Sequence, residues 1–276
     1  MAVSVVDIDR AKRVYRATRP LVFAGLPTID LKDRLSVLTV AAGLRRVGVL
    51  ETWGQRLPQI RDRMIQAGLA TSVASCVWSK IERPGETPHR EVLEALDQRR
   101  VAGKPKHVLW LYPGTDELRQ LQQASFSQQQ AGALLGYPAC CIAFESSVME
   151  MLPKAQLQEL IAEVGDDDAK LLRRARAGTL PETSKPSLPA NALRTEQRLP
   201  FVLHVACDSC LEDLDSPSAA INQRNAELLQ QADADFHALF LQVQETYCQI
   251  TQDQTKNREL LAAARAAHER FFRAAL

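Results

Sequence analysis

Along the first 112 residues the spacing of apolar positions alternates between two periods. Leu31, Leu35, Leu38 and Ala42 recur at helical intervals and predict a helix over Asp30 to Leu44. Val47 to Leu50 is a short apolar run that reads as a buried strand. Ile60, Met64 and Ala67 restore helical spacing from Pro58 to Ala67, and Gly68 closes that helix. Thr71 to Trp78 is rich in small and β-branched residues and reads as a strand. His89 to Val101 reads as a polar helix carrying Val92, Leu93 and Leu96. His107 to Tyr112 is the clearest strand, and Leu21 to Ala24 reads as a short one. Helix-sized connections suggest parallel order, so we expect an α/β subdomain over 1–113 built on a small, mostly parallel sheet.

The second part, 114–276, reads as mainly helical. Pro113 to Glu117 is a turn, with Asp116 and Glu117 standing where an anion would sit. Ser127-Gln128-Gln129-Gln130 has the form of a capping box, and the helix it opens stops at Gly136. Pro138 opens the next helix, Pro153 another, and Asp166-Asp167-Asp168 suits the cap of a third. Gly178 to Pro200, with four prolines and little apolar material, is expected to be a long exposed loop. Phe201 to Ala206 reads as a short apolar strand. From Pro217, the spacing of Ile221, Leu228, Phe236, Leu239, Val243 and Tyr247 describes one long amphipathic helix. A final helix carries Leu260, Leu261, Ala264 and Phe271. These last helices suit bundle packing or a homodimer contact.

Composition narrows the function classes. The 276 residues are 46% hydrophobic and 24% charged, with a net charge of +1. That balance carries no polyanion footprint, so nucleic acid and acidic membranes are not expected partners. The chain has no apolar run of spanning length, and its first residues carry no basic-then-apolar signal pattern. A cytoplasmic setting is the expectation, where thiols stay reduced and clustered cysteines favour metal or redox chemistry over disulfides. A G-x-G-x-x-G fingerprint and a Walker loop are both absent, which disfavours a nucleotide-dependent enzyme.

Four of the six cysteines lie in two short segments, Gly136-Tyr137-Pro138-Ala139-Cys140-Cys141 and His204-Val205-Ala206-Cys207-Asp208-Ser209-Cys210. Cys140 and Cys141 fall in the first turn of a helix, where the dipole favours thiolates. Cys141 also shares a stripe with Phe144, Val148 and Leu152, so burial as a small hydrophobe is the competing reading. Cys207 and Cys210 have chelating spacing. The acidic residues that follow them disfavour dithiol exchange. Together the two pairs suit a zinc ion or a [4Fe–4S] cluster. Adjacent cysteines do not readily chelate one zinc, whereas a cluster offers each its own iron, so the expectation tips to iron–sulfur. His204 is a candidate ligand or proton donor. Strand alternation puts it on the face opposite Cys207, which suits an outer-shell or core role. Tyr137 is a candidate proton donor, or a packing residue of the helix turn. Cys76 and Cys248 read as packing, and Asp233 with His237 as a solvated helix pair.

Gly-Tyr-Pro-x-Cys-Cys followed by a histidine and a Cys-x-x-Cys resembles a poorly characterised prokaryotic family known as a domain of unknown function. The resemblance covers roughly Leu109 to Leu214. It implies that Tyr137, Pro138, Cys140, Cys141, His204, Cys207 and Cys210 belong together, and it supplies no activity. The combination of adjacent cysteines and CxxC is also similar to the ligand pattern of iron–sulfur epoxyqueuosine reductases, whose flanking residues differ. The expectation is a metalloprotein with redox or sulfur chemistry on a small metabolite. The alternatives are a structural zinc module that binds a protein partner and a dithiol oxidoreductase using Cys207 and Cys210.

Overall fold

The computed structural model describes residues 6–21, 23, 27–50, 56–75, 87–100, 107–116, 128–177, 188–252 and 257–273. In chain order the elements are α1 (Ile8–Thr18), α2 (Pro27–Ala41), β1 (Gly48–Leu50), α3 (Leu57–Gln66), β2 (Ala70–Ser75), α4 (Arg90–Arg100) and β3 (His107–Tyr112). Then follow α5 (Gln128–Leu134), α6 (Ala139–Val164), α7 (Asp168–Ala177), α8 (Leu188–Arg198), α9 (Asp208–Glu212), α10 (Pro217–Ala232), α11 (Ala234–Gln252) and α12 (Asn257–Arg273).

The expected parallel sheet is corrected by the strand pairing. The order is β1-β3-β2, and both outer strands run antiparallel to β3. The two outer strands therefore point the same way, as a helical crossover through α3 allows, but β3 lies between them and runs back. A helix-sized connection permits parallel neighbours without requiring them. The rest of the described chain is helical apart from its connections, so the molecule is mostly α with a small antiparallel sheet.

The continuous apolar run of β3 follows from its central place. Leu109 and Leu111 pack with Val37, Val40, Ile60 and Met64 on one face. Val108, Trp110 and Tyr112 pack with Ala131 and Leu135 on the other. A strand buried on both faces needs no polar alternation. The second of these faces seats α5 and so fixes where the following turn carries Cys140 and Cys141.

The largest apolar cluster draws on both sides of residue 113. Tyr15, Leu31, Leu35 and Leu38 meet Leu228, Phe236, Phe240, Val243 and Phe272. The C-terminal helices thus bury apolar faces against α1 and α2 of their own chain. Asp30 sits in this junction with no exposure, and its Oδ2 accepts from Arg34 Nε at 2.6 Å and lies 3.0 Å from His268 Nε2. A third cluster joins α4 to α6 and α7 through Leu93, Leu96, Leu160 and Leu171.

Several expected boundaries move. Leu21 and Phe23 are not in a strand, and residues 76–78 of the expected second strand lie outside the described residues, as do Ser127 and the turn residue Glu117. The helix expected to begin at Pro153 is the continuation of α6, which runs unbroken from Ala139 to Val164. Within the stretch 178–200 expected as a loop, residues 178–187 lie outside the described residues and Leu188–Arg198 form α8. Pro189 stands in its first turn, where a missing N–H costs nothing, and Pro200 stands just past its end. The long helix expected from Pro217 is two helices, because Asp233 is extended and its Oδ1 accepts from Phe236 N, capping α11.

The segment Phe201 to Ala206 is not a strand. Side chains, rather than a neighbouring strand, satisfy its backbone. Phe201 N donates to Asn222 Oδ1 and Phe201 O accepts from Asn225 Nδ2, both at 2.8 Å. Lys32 Nζ donates to the carbonyls of Pro200 and Val202. Ala206 N donates to Thr195 Oγ1 at 3.0 Å, and Ala206 O accepts from Asn191 Nδ2 at 3.2 Å. Among the described residues, no helix is long and apolar enough to cross a membrane.

Candidate metal centre

The first half of the centre is set by a helix stop and a helix start. α5 ends on Gly136 at φ +73°, a left-handed conformation that glycine adopts at little cost. Tyr137 N donates to Gly132 O and Gly136 N to Ala133 O, both at 3.0 Å, which is the bonding of a Schellman turn. Pro138 then caps α6 at φ −59°, so Cys140 and Cys141 lie in its first turn, as their sequence context predicts. The second half is the irregular segment before α9. Cys207 is the residue preceding α9, and Cys210 lies within it.

The fold brings the two halves together. Cys140 Sγ lies 3.5 Å from Cys210 Sγ, and Cys141 Sγ lies 3.7 Å from Cys207 Sγ. All four sulfurs fall within 4.8 Å of one another, a group that could hold a metal ion. The adjacency of Cys140 and Cys141 is no obstacle, because each faces a different cysteine of the CxxC turn. Cys141, Cys207 and Cys210 are 2%, 6% and 2% exposed, whereas Cys140 is open to solvent.

Buried sulfurs that are to act as metal ligands need donors, and three of the four have them. Cys207 N donates to Cys141 Sγ at 3.4 Å, and Ser218 Oγ stands 3.4 Å from the same sulfur. Ser209 Oγ is 3.2 Å from Cys207 Sγ. Ser218 also reaches Cys210 through both its hydroxyl and its N–H. Ser218 lies in the first turn of α10, whose entry is capped by Ser216 Oγ accepting from Ala219 N. Ser216 Oγ in turn donates to Cys210 O at 2.9 Å. The N-termini of α6 and α10 therefore converge on the sulfurs and favour negative charge there.

Local fields act unequally on the thiols. Burial pushes Cys141 up, against the Ser218 and Cys207 hydrogen bonds. Cys140, although exposed, is raised by partial desolvation and by the neighbouring Cys210 and Cys207. Burial acts to raise Cys210 too, but the bonds from Ser218 and from Cys140 and Cys141 outweigh it and bring its pKa down to about 7.

His204 and Tyr137 form a flank beside the sulfurs, and His204 is not one of the converging group. Its Nε2 lies 2.9 Å from Ser218 Oγ, so Ser218 stands between the imidazole and Cys141. Burial, then the charges of Arg45 and Lys32, lower its pKa to about 3 and keep it neutral. Tyr137 donates its hydroxyl proton to Leu203 O at 2.8 Å, and its ring lies 5.0 Å from that of His204. Arg45 stacks over Tyr137 at 5.3 Å, and its Nε donates to Leu135 O at 2.7 Å.

Sequence reading missed the frame of the site. Asn191 and Thr195 on α8 hold the chain at Ala206, Arg194 pairs with Asp208 at 2.5 Å, and Arg198 donates to Leu211 O at 2.6 Å. These residues lay in the stretch that reads as loop. Ser218 had only a faint signal, its place beside the Ser216-Pro217 helix start. The expected Asp233–His237 pair does not form as read: Asp233 caps α11 and pairs with Arg19, while His237 stacks on Phe201. Asp167, by contrast, caps α7 as expected by accepting from Lys170 N. Cys248 is half-buried in α11, and Cys76 lies outside the described residues.

Comparison of the chain with protein-family models, curated proteins and solved structures gives no match.

Proposed function

We propose that the four cysteines hold a single tetrahedral metal ion, zinc by preference, that clasps the start of α6 to the turn around α9. The compactness of the sulfur group carries this reading. A zinc ion bound by thiolates at about 2.3 Å sets its sulfurs roughly 3.8 Å apart. Cys140 and Cys210 lie 3.5 Å apart and Cys141 and Cys207 3.7 Å, and no pair of the four exceeds 4.8 Å. In a [4Fe–4S] cluster each thiolate binds a different iron, and the inorganic core holds the sulfurs farther apart. The observed group therefore supports one ion over the cluster that residue adjacency alone suggests.

Four sulfur ligands saturate a tetrahedral zinc, which is the pattern of structural centres. The centre joins segments 66 residues apart at the edge of the helical core. Zinc here would contribute directly to folding, because the ligands come together only in the native chain. His204 and Tyr137 support the clasp from outside the metal shell: His204 through Ser218, Tyr137 by tying the α5–α6 turn to Leu203. The test is metal and sulfide content with a visible spectrum on protein purified without oxygen. One zinc per chain and no colour supports the clasp. About four iron and four sulfide per chain with a brown spectrum overturns it in favour of a cluster.

A further inference from the structure

The four sulfurs are unequal in a way that a purely structural clasp does not require. Cys141, Cys207 and Cys210 are buried and each has a hydroxyl or N–H donor. Cys140 is exposed, and its sulfur lies against another sulfur, that of Cys210. Hydrogen bonds and burial quiet a metal-bound thiolate, whereas solvent access lets a reactant reach it. We infer that Cys140 is the oxidation site of the centre, attacked by hydroperoxides and then joined to Cys210 as a disulfide that opens the clasp. The inference rests on the metal reading for its consequence, release of the ion, and on the sulfur geometry alone for the order of reaction.

The chemistry balances with the peroxide as the oxidant. The Cys140 thiolate attacks one peroxide oxygen; an S–O bond forms, the O–O bond breaks, and hydroxide (or alkoxide, from an organic hydroperoxide) leaves. Cys140 is then a sulfenic acid, two electrons oxidised. The Cys210 thiolate attacks that sulfur, the S–S bond forms, the S–O bond breaks, and a second hydroxide leaves. Two thiolates have lost two electrons, and one O–O bond has accepted them.

Cys210 is the resolving residue because its sulfur stands 3.5 Å from Cys140 Sγ on the facing segment, and must close to about 2.05 Å. Cys141 is adjacent in the chain, where a disulfide closes a strained ring. Asp208, Glu212, Asp213 and Asp215 stand exposed on the segment bearing Cys207 and Cys210, so a neutral hydroperoxide is favoured over an anionic oxidant. Disulfide formation removes two of the four ligands at once, and the remaining two sulfurs hold zinc far less tightly.

The experiment treats the full chain, as purified and after chelation, with dilute hydrogen peroxide. Dimedone trapping and peptide mapping follow each cysteine, and a chromogenic chelator follows zinc. Cys140 is expected to react about tenfold faster than Cys141, Cys207 or Cys210, its solvent access outweighing the lower pKa of the buried Cys210. The first disulfide is expected to be Cys140–Cys210, with zinc released in step. In Cys210→Ser the reaction is expected to stop at a trappable Cys140 sulfenic acid. Earlier modification of another of the four, or a first disulfide between Cys141 and Cys207, overturns the assignment. A chain that carries no zinc, yet reacts first at Cys140 and pairs it with Cys210, supports the assignment and counts only against the metal reading.

Discussion

Cys141 Sγ and Cys207 Sγ lie 3.7 Å apart although 66 residues separate them, and the Cys207 N–H also points at the Cys141 sulfur. The two sulfurs therefore belong to one group that could hold a metal ion, and a hydrogen bond links the two residues. Substituting Cys141→Ser or Cys207→Ser should cost more than the about 10–100-fold in metal affinity that outer-shell losses cost. Competition with a chromogenic chelator measures it. Unchanged zinc affinity in both variants would remove the two residues from the centre.

Ser218 is fully buried and bridges His204 and Cys141. Ser218→Ala leaves the sulfurs in place but removes a donor and strands the imidazole. We expect zinc affinity to fall by about 10-fold while the helical circular-dichroism spectrum is kept. Cobalt substitution gives a second readout, because the sulfur-to-metal bands should shift in this variant. An unshifted spectrum with unchanged affinity would make Ser218 a packing residue only.

Thr195 ties α8 to the chain just before Cys207. Its hydroxyl accepts from Ala206 N and donates to Asn191 O. Thr195→Val keeps the shape but leaves the buried Ala206 N–H without its partner, costing about 1–3 kcal/mol. Chemical denaturation of the chelated protein measures this cost apart from the metal.

Asp30 joins the N-terminal and C-terminal helices. Its side chain and that of Arg34 are 0% and 1% exposed. Asp30→Asn leaves the Arg34 guanidinium buried without its counter-charge and should destabilise the chain by about 3–5 kcal/mol. Burial acts to raise the Asp30 pKa, but hydrogen bonds and charge from His268 and Arg34 outweigh it and hold the pKa below the ordinary value. The stabilisation is complete above the unfolded value of about 3.9 and is lost as pH falls through the lower folded value. Thermal melts between pH 5 and 2 should show a steeper acid loss in the wild type than in Asp30→Asn.

His204 has the opposite charge type and a wider window. Its folded pKa lies down at about 3, so below the unfolded value near 6.5 only the unfolded chain takes up the proton. Stability should fall as pH drops from 6.5 toward 3, and His204→Gln should flatten that slope. Melts of chelated protein isolate this effect from proton competition for the thiolates. Equal slopes in the two proteins would contradict the buried neutral imidazole.

The sequence by itself determined the local features around Cys140. Gly136 is the residue that a left-handed helix stop favours, Pro138 the residue that a helix start accepts, and together they put two cysteines in a first turn. The spacing of Cys207 and Cys210 likewise marked a chelating pair from four letters. These are short-range rules, decided by dihedral angles and neighbouring backbone groups. The tertiary structure alone decided what no short window contains. β3 runs between β1 and β2 and antiparallel to both, because long connections leave direction open and packing on both faces selects its central place. Phe201 to Ala206 has strand composition, yet Lys32, Asn191, Thr195, Asn222 and Asn225 take its hydrogen bonds from three different helices. The meeting of the two cysteine pairs in one group also turned on distance. Adjacent letters at 140 and 141 disfavoured a single ion, and only the meeting of both with the CxxC turn brings four sulfurs within 4.8 Å. Separation in space depends on where the helices pack, and packing is settled by the whole core at once.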